Sequence, residues 1–441
     1  VTPQHILVVG SGAREHAICW RLARETGVMT VTCAPGNALM EDVAEIRPDV
    51  RATDLDALVS LARELRADLV VIGPEAPLVA GLADRLLEAG IRCFGPTASA
   101  AALEGSKAFC REVCRAAGVP MAAGRAFDSV APAMDFAATL PEPLVVKADG
   151  LAGGKGVAIC ATLAEAETAI RSAIDGRRFG NAGRRVVVEE YLEGPEASAI
   201  AICDTSTALL LPAARDHKRL GDGDSGPNTG GMGAYSPLED IDVAALERIG
   251  RSIHQPVLAE MAARGAPFRG ALFAGLMLTA DGPRVLEFNA RFGDPETQAL
   301  MPRLDAPLGL LMAAAAEDRL AVAAASLGVI DTLLPVQAGT TVAVTLATRG
   351  YPDAPASGDP IAGIEDALSA GALVFGGALQ RGLDGRPMTA GGRVMTVVGS
   401  GTDTERAAEK AYAAADLVRF EGRHMRSDVG RPALVGAGRG A

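Results

Sequence analysis

The chain has 441 residues and a formal net charge of −12, with 49% hydrophobic but only 4% aromatic residues, 51 glycines and seven cysteines. Such a length exceeds one ordinary core and predicts about three domains at roughly 100–200 residues each, and the Ala/Gly-rich, aromatic-poor composition favours alternating α/β structure. The acidic balance excludes bulk binding of nucleic acid or anionic membrane, both of which need basic surface. No apolar run reaches membrane-spanning length and no basic start precedes an apolar stretch, so a cytoplasmic protein is expected. The odd, scattered cysteines make no disulfide framework, and Cys110 with Cys114, one helical turn apart but without a second pair, reads as core packing rather than a zinc site.

In chain order, apolar runs at 5–9, 28–33, 69–72 and 91–94 alternate with helical stretches at 15–25, 55–65 and 79–89, which predicts a small doubly wound parallel sheet. The turn Gly95-Pro96-Thr97 closes it, and a helix over 106–117 follows. After Pro120, strands at 144–147, 156–160 and 186–189 around a helix at 163–174 read as an inserted lid with its own sheet. Strands at 197–203 and 209–212, a glycine-rich loop, a helix over 243–263, strands at 272–278 and 285–288, and a helix at 308–316 complete a central block. A last region has strands at 341–347, 373–375 and 394–400 and a helix over 404–417. The expected division is an N-terminal substrate-binding domain 1–104, a central domain 105–329 with its lid at 121–193, a C-terminal α+β domain 330–430 and a flexible tail 431–441.

The segment 284–298, RVLEFNARFGDPETQ, is the most informative. On an extended strand, Glu287 and Asn289 face one way while Leu286 and Phe288 face the core. Two oxygen donors at a strand end suit a hard cation holding nucleotide phosphates, and Arg291 beyond them can neutralise a transferring phosphoryl group. The turn Gly10-Ser-Gly-Ala-Arg-Glu-His16 joins a strand to a helix, where backbone N–H groups favour an anion. Glu15 replaces the third glycine of a dinucleotide fingerprint and no ribose-binding acid follows the second strand, so a phosphate or phosphosugar is the better guess. Asn37, in Pro35-Gly36-Asn37, and Glu75, in Gly73-Pro-Glu-Ala-Pro-Leu78, are expected on the same carboxyl edge.

Lys147-Ala-Asp-Gly-Leu-Ala-Gly-Gly-Lys155 lacks the Ser or Thr of a Walker loop, and instead suits a hairpin folding over a triphosphate with both lysines countering its charge. The strand ending in Glu189 and Glu190 leads into a linker that offers backbone groups to an adenine edge, with Glu196 placed for ribose hydroxyls. Arg215-Asp216-His217-Lys218-Arg219 and Gly226-Pro-Asn228-Thr-Gly230-Gly-Met-Gly233 read as a basic, mobile loop closing on an anionic substrate. His217 has no Ser or Cys beside it to form a nucleophile pair, and His254 reads as packing or surface.

With these residues together, the chain from about 5 to 430 resembles the phosphoribosylamine-glycine ligase (glycinamide ribonucleotide synthetase) family of ATP-grasp enzymes. The segments that carry the resemblance are GSGAREH at 10–16, PGN at 35–37, GPEAPL at 73–78, LEGSK at 103–107, DHKR at 216–219, GPNTGGMG at 226–233 and RFGDPETQ at 291–298. The resemblance implies a central ATP-grasp domain, with Lys107, Lys147, Glu189, Glu190, Leu192 and Glu196 lining ATP, Lys155 in the phosphate flap, and Glu287 and Asn289 holding Mg²⁺ or Mn²⁺. It also implies the joining of glycine to 5-phosphoribosylamine through an acyl phosphate, in purine biosynthesis, by a monomer whose partners are small molecules. Arg291 is then assigned to the carboxylate or transferring phosphoryl and Asp294 to glycine's ammonium, with Gly10, Gly12, Arg14, Asn37, Glu75, Asp216, Lys218, Asn228 and Gly230 binding substrate. Competing readings are another ATP-grasp ligase or carboxylase and a nucleotide-sensing protein without turnover.

Overall fold

The computed structural model describes residues 1–431 apart from 154, 177, 330 and 331, so the expected tail lies outside the described residues beyond Arg431. The N-terminal sheet is wholly parallel, with strands Glu45–Ile46, Thr30–Pro35, His5–Gly10, Leu69–Ile72 and Cys93–Phe94 in that spatial order. Ile6 to Val9 are all buried, as helices on both faces require of a parallel strand. Because the order reverses beside the first strand, the loops after His5–Gly10, Thr30–Pro35 and Leu69–Ile72 open onto one crevice. After Leu69–Ile72 the chain winds into the short helix Glu75–Val79, and an unanticipated helix, Ala98–Gly105, leads into Lys107–Ala116. The Ser106 side chain between the last two accepts from Phe109 N at 3.1 Å, capping the second helix.

The lid is a four-stranded antiparallel sheet of Gly124–Phe127, Val186–Glu190, Leu144–Ala148 and Val157–Cys160. Helices Val130–Ala137 and Leu163–Ile174 cover it and bury Leu144, Val146, Ala166, Ile170, Val186 and Val188. The strand Gly124–Phe127 has no fully buried residue and hence no apolar alternation to mark it in the sequence. A second antiparallel sheet, Ala208–Leu210, Glu196–Cys203, Gly270–Thr279 and Gly282–Asn289, forms the floor opposite the lid. The helix expected over 243–263 is three pieces, Val243–Ile249, a π turn Gly250–His254, and Gln255–Ala263. Pro256 has no N–H to continue the ladder, and the helix widens into the π turn just before it while the backbone stays right-handed helical at Ile249, Gly250, His254 and Gln255.

The C-terminal sheet corrects the reading of 215–219 and 226–233 as a mobile loop. Arg215–Asp216 and Gly233–Ser236 are strands, and they extend the sheet made by Thr340–Ala347, Arg393–Gly401 and Leu373–Gly376. Between them Arg219–Gly221 and Ser225–Asn228 pair as a hairpin. The intervening basic residues are held too: Arg219 donates to Gly226 O at 2.8 Å, and Arg426 clasps Asp224 and Asp428 at 2.7 and 2.6 Å. Among the described residues no helix is long and apolar enough to cross a membrane. All seven cysteines are free and buried, Cys110 and Cys114 among them, and His254 is fully buried, with burial holding it down to about pKa 4.

Candidate active site

Gly275 pairs with Glu287 and Phe273 with Asn289, but Leu276 pairs with Val285, so Leu286 is an extra residue in a bulge. The bulge puts Val285 and Phe288, three apart, into one core cluster. Leu286, expected in that core, instead packs beside Ala122, Leu192 and Met277. Glu287 and Asn289 stay two apart on one face, as alternation requires. Burial pushes the Glu287 carboxyl up, but the charges of Lys218, Lys107, Lys147 and Arg291 outweigh it and hold the group ionised. No cluster of three or more His, Cys, Asp or Glu able to hold a metal occurs among the described residues. An ionised carboxylate with an amide oxygen on the same face suits a hard cation that would be completed by other oxygen donors.

Arg291 is the hub of the next turn. Its Nη2 lies 3.1 Å from Glu104 Oε1 and its Nε 3.4 Å from Glu75 Oε2, while Nη1 donates to Phe292 O at 3.1 Å. Nε has charge contact with Glu75 but no hydrogen-bond partner of proper geometry. Glu104 is fixed from behind, since its Oε2 accepts from Ala290 N at 2.8 Å. Asp294 accepts from Gln298 Nε2 at 2.7 Å and from Arg393 Nη2 at 2.9 Å. Burial raises Asp294, and Arg393 and Arg14 more than reverse it.

On the N-terminal sheet, the Glu15 carboxylate takes the Gly12 N–H at 2.7 Å and Arg14 Nε at 2.5 Å. A Cβ on Gly10, at φ +133, would lie 2.5 Å from Glu15 Cγ, so the turn closes around this acid. One donor of the expected anion nest is thus already used internally. Arg14 Nη1 reaches across to Phe292 O at 3.3 Å, joining this loop to the Arg291 turn. Asn37 is buried, and its amide donates to Ser11 O and Gly376 O, both at 2.8 Å, bolting the loop to the C-terminal domain.

On the lid side, Glu189 bridges Lys147 and Arg111, with Arg111 Nη1 at 2.9 Å, and Lys147 Nζ also donates to Leu286 O at 3.1 Å. Glu190 accepts from Ala123 N at 2.8 Å and from Arg284 Nη1 at 3.2 Å. Glu190 and Lys147 thereby tie lid to floor, through Arg284 and Leu286 O, while Leu192 joins Leu286 and Met277 in a small apolar patch. Lys107 opens its helix beside Asp149, its backbone N–H donating to Asp149 O at 3.0 Å. Lys155 reaches the C-terminal domain, donating to Pro352 O at 3.1 Å with Asp353 at 3.6 Å.

Lys218 pairs with Glu196 at 2.5 Å, and despite burial the charges of Glu196 and Glu287 push the ammonium up. Asp216 is driven well above the usual carboxylate range by burial and then by the Glu296 carboxylate, and its Oδ1 has no hydrogen-bond partner. Asn228 pairs with Arg219 in the hairpin, and Gly230 donates to Tyr351 Oη at 2.9 Å. Gly231, at φ +110, lies so near the turn that a Cβ would meet Pro295 Cδ at 2.4 Å and Asp216 Oδ1 at 2.8 Å. Glu104, Glu296, Tyr351 and Arg393 were missed from sequence, although Glu104 lies inside the LEGSK segment and Glu296 inside RFGDPETQ.

A lid sheet and a floor sheet enclosing lysines, with an acid and an amide on the last floor strand, define an ATP-grasp ligase, a class that uses ATP and a divalent metal on small-molecule substrates. The chain matches, in order, the phosphoribosylglycinamide synthetase N domain over residues 4–104, its ATP-grasp (A) domain over 105–297 and its C domain over 341–432. It belongs to the phosphoribosylglycinamide synthetase family. The phosphoribosylamine--glycine ligase of Caulobacter vibrioides is 47% identical over 97% of this chain and 98% of its own, and that of Phenylobacterium zucineum 46% over 98% and 99%. The crystal structure of the Thermotoga maritima phosphoribosylamine--glycine ligase superposes with a TM-score of 0.82 at 33% identity, covering 96% of this chain and 99% of that one. The biotin carboxylase domain of Hydrogenobacter thermophilus 2-oxoglutarate carboxylase, at 18% identity and TM-score 0.70 over 96% and 92%, shares the fold.

Proposed function

We propose that this enzyme joins glycine to 5-phosphoribosylamine, giving glycinamide ribonucleotide, ADP and phosphate, in purine biosynthesis. The observation that carries the reading is that Glu287 and Asn289 share a face with Lys218, Lys107, Lys147 and Arg291 around it. In this reading the glycine carboxylate attacks the γ-phosphorus of ATP, forming glycyl phosphate and releasing ADP. The sugar amine then attacks the acyl carbon and phosphate leaves. Both steps need charge neutralisation and positioning more than a strong acid or base, in keeping with the absence of a nucleophile motif.

Glu287 and Asn289 are the residues that would hold Mg²⁺ or Mn²⁺, and a cation bound there would supply charge screening for the phosphates. Arg291, steadied by Glu75 and Glu104, faces the glycine carboxylate and the transferring phosphoryl, and Asp294 takes the ammonium. Lys107, Lys147 and Leu192 line ATP, with Glu189, Glu190 and Glu196 fixing the lysines and the hinge, and Lys155 closes with the flap. Gly10, Gly12, Arg14 and Glu75 form the phosphosugar side, where Asn37 acts by shaping the loop. Asp216, Lys218, Asn228 and Gly230 border the amino acid from the hairpin. The domain division 1–104, 105–329 and 330–430, a monomeric state and a cytoplasmic location complete the proposal.

The test is ADP release with chemically generated phosphoribosylamine, with and without glycine, and with bicarbonate as control. Release that requires both glycine and the sugar amine supports the reading, whereas release driven by bicarbonate replaces it with a carboxylase.

A further inference from the structure

Arg393 begins the strand Arg393–Gly401 of the C-terminal sheet, far in sequence from every segment of the site, yet its guanidinium reaches two of them. Nη2 lies 2.9 Å from Asp294 Oδ2, and Nη1 donates to Asp294 O at 3.1 Å and to Gly230 O at 2.6 Å. One planar fork therefore ties the Arg291–Asp294 turn to the tip of the 226–233 loop. Gly230 packs flat on that fork, for a Cβ there would lie 3.0 Å from Arg393 Cζ. The same residue's N–H is taken by Tyr351 Oη at 2.9 Å, so both polar backbone groups of Gly230 are held by the C-terminal domain. Asp294 has its other oxygen held by Gln298 Nε2 at 2.7 Å, which fixes the plane of the carboxylate.

We propose that Arg393 is a positioning residue for the amino-acid substrate, holding Asp294 and the Gly230 carbonyl in the arrangement that receives the substrate's ammonium. The inference rests on the assignment of Asp294 to that ammonium. It makes the C-terminal domain part of amino-acid recognition, although no residue of that domain need touch glycine. Lysine cannot replace the arginine, because a single ammonium on a flexible stem does not span a carboxylate and two carbonyls in one plane.

The experiment compares wild type, Arg393→Gln, Arg393→Lys, Asp294→Asn and the double variant Arg393→Gln/Asp294→Asn in steady-state turnover, varying glycine and ATP separately. Arg393→Gln is expected to raise the KM for glycine about 10- to 100-fold, the range for loss of a group that orients a ligand, while the KM for ATP stays within about twofold. Arg393→Lys keeps charge and bulk, serves if the glutamine variant fails to fold, and is expected to raise the glycine KM about tenfold or more. The double variant is expected to lose less than the product of the two single losses, because the arginine acts in part through the aspartate and in part through the Gly230 carbonyl. Wild-type glycine KM in Arg393→Lys, equal rises in both KM values, or losses that multiply in the double variant overturn the role of Arg393. Asp294→Asn with an unchanged glycine KM overturns the assignment of Asp294 itself.

Discussion

Glu104 Oε1 lies 3.1 Å from Arg291 Nη2, and both side chains are withdrawn from solvent. Burial raises the Glu104 carboxyl above its ordinary range and the Arg291 charge pulls it only part of the way back, so the ionised acid depends on the arginine beside it. Glu104→Gln is expected to leave Arg291 tilted toward Glu75 and to lower kcat by about one to two orders of magnitude, with folding retained. Steady-state kinetics and circular dichroism check this; unchanged kcat would separate Arg291 from its anchor.

The metal pair gives a second expectation. Glu287→Gln and Asn289→Ala should each lower kcat/KM for ATP on the order of 10²-fold or more, since phosphate charge is left unscreened. Excess Mg²⁺ or Mn²⁺ should partly restore the asparagine variant and chelation should abolish wild-type turnover. A variant that titrates with metal as wild type does would displace the ion from this strand.

Gly231→Ala tests how closely the loop meets the turn. A Cβ would be 2.4 Å from Pro295 Cδ on a backbone at φ +110, so both contact and conformation oppose it. Activity should fall at least about tenfold, with destabilisation of about 1–3 kcal/mol. Denaturant unfolding alongside kinetics separates the two effects, and near wild-type values in both would refute the close approach.

Asp428 carries a pH expectation. Burial raises its carboxyl, but the Arg426 guanidinium and the Gly223 N–H outweigh this and hold it down to about 2. A depressed acid stabilises the fold fully above its unfolded value near 4 and loses that contribution as pH falls toward 2. Asp428→Asn should therefore melt lower than wild type at pH 7, by about 1–2 kcal/mol after allowance for solvent screening. The gap should narrow below about pH 4, and a gap that is constant across pH 3 to 7 would rule this out.

Much of the site was legible because its chemistry is local. Glu287 and Asn289 obey the two-residue period of a strand, and Gly10, Asn37 and Glu75 each follow a strand at the same edge of a parallel sheet. The bulge at Leu286 was not legible, since it depends on how Leu276 and Gly275 pair across the sheet. Nor were the strands Arg215–Asp216 and Gly233–Ser236, which are too short to show a period and take their order from residues 341–344. Glu104 sits in an alanine-rich helix, and Arg393 opens a C-terminal strand; their meaning arises only where distant segments meet.

The pairing of Gly233–Ser236 with Thr340–Ala347 also bears on how the polypeptide matures during synthesis. A ribosome must add about a hundred further residues before the hairpin bearing Lys218 finds the neighbour that orders it, and more still before Arg393 emerges. The N-terminal sheet can settle early, whereas catalytic competence waits for the segment that carries Arg393, so chains terminated before it should accumulate as folded but inert fragments with exposed strand edges.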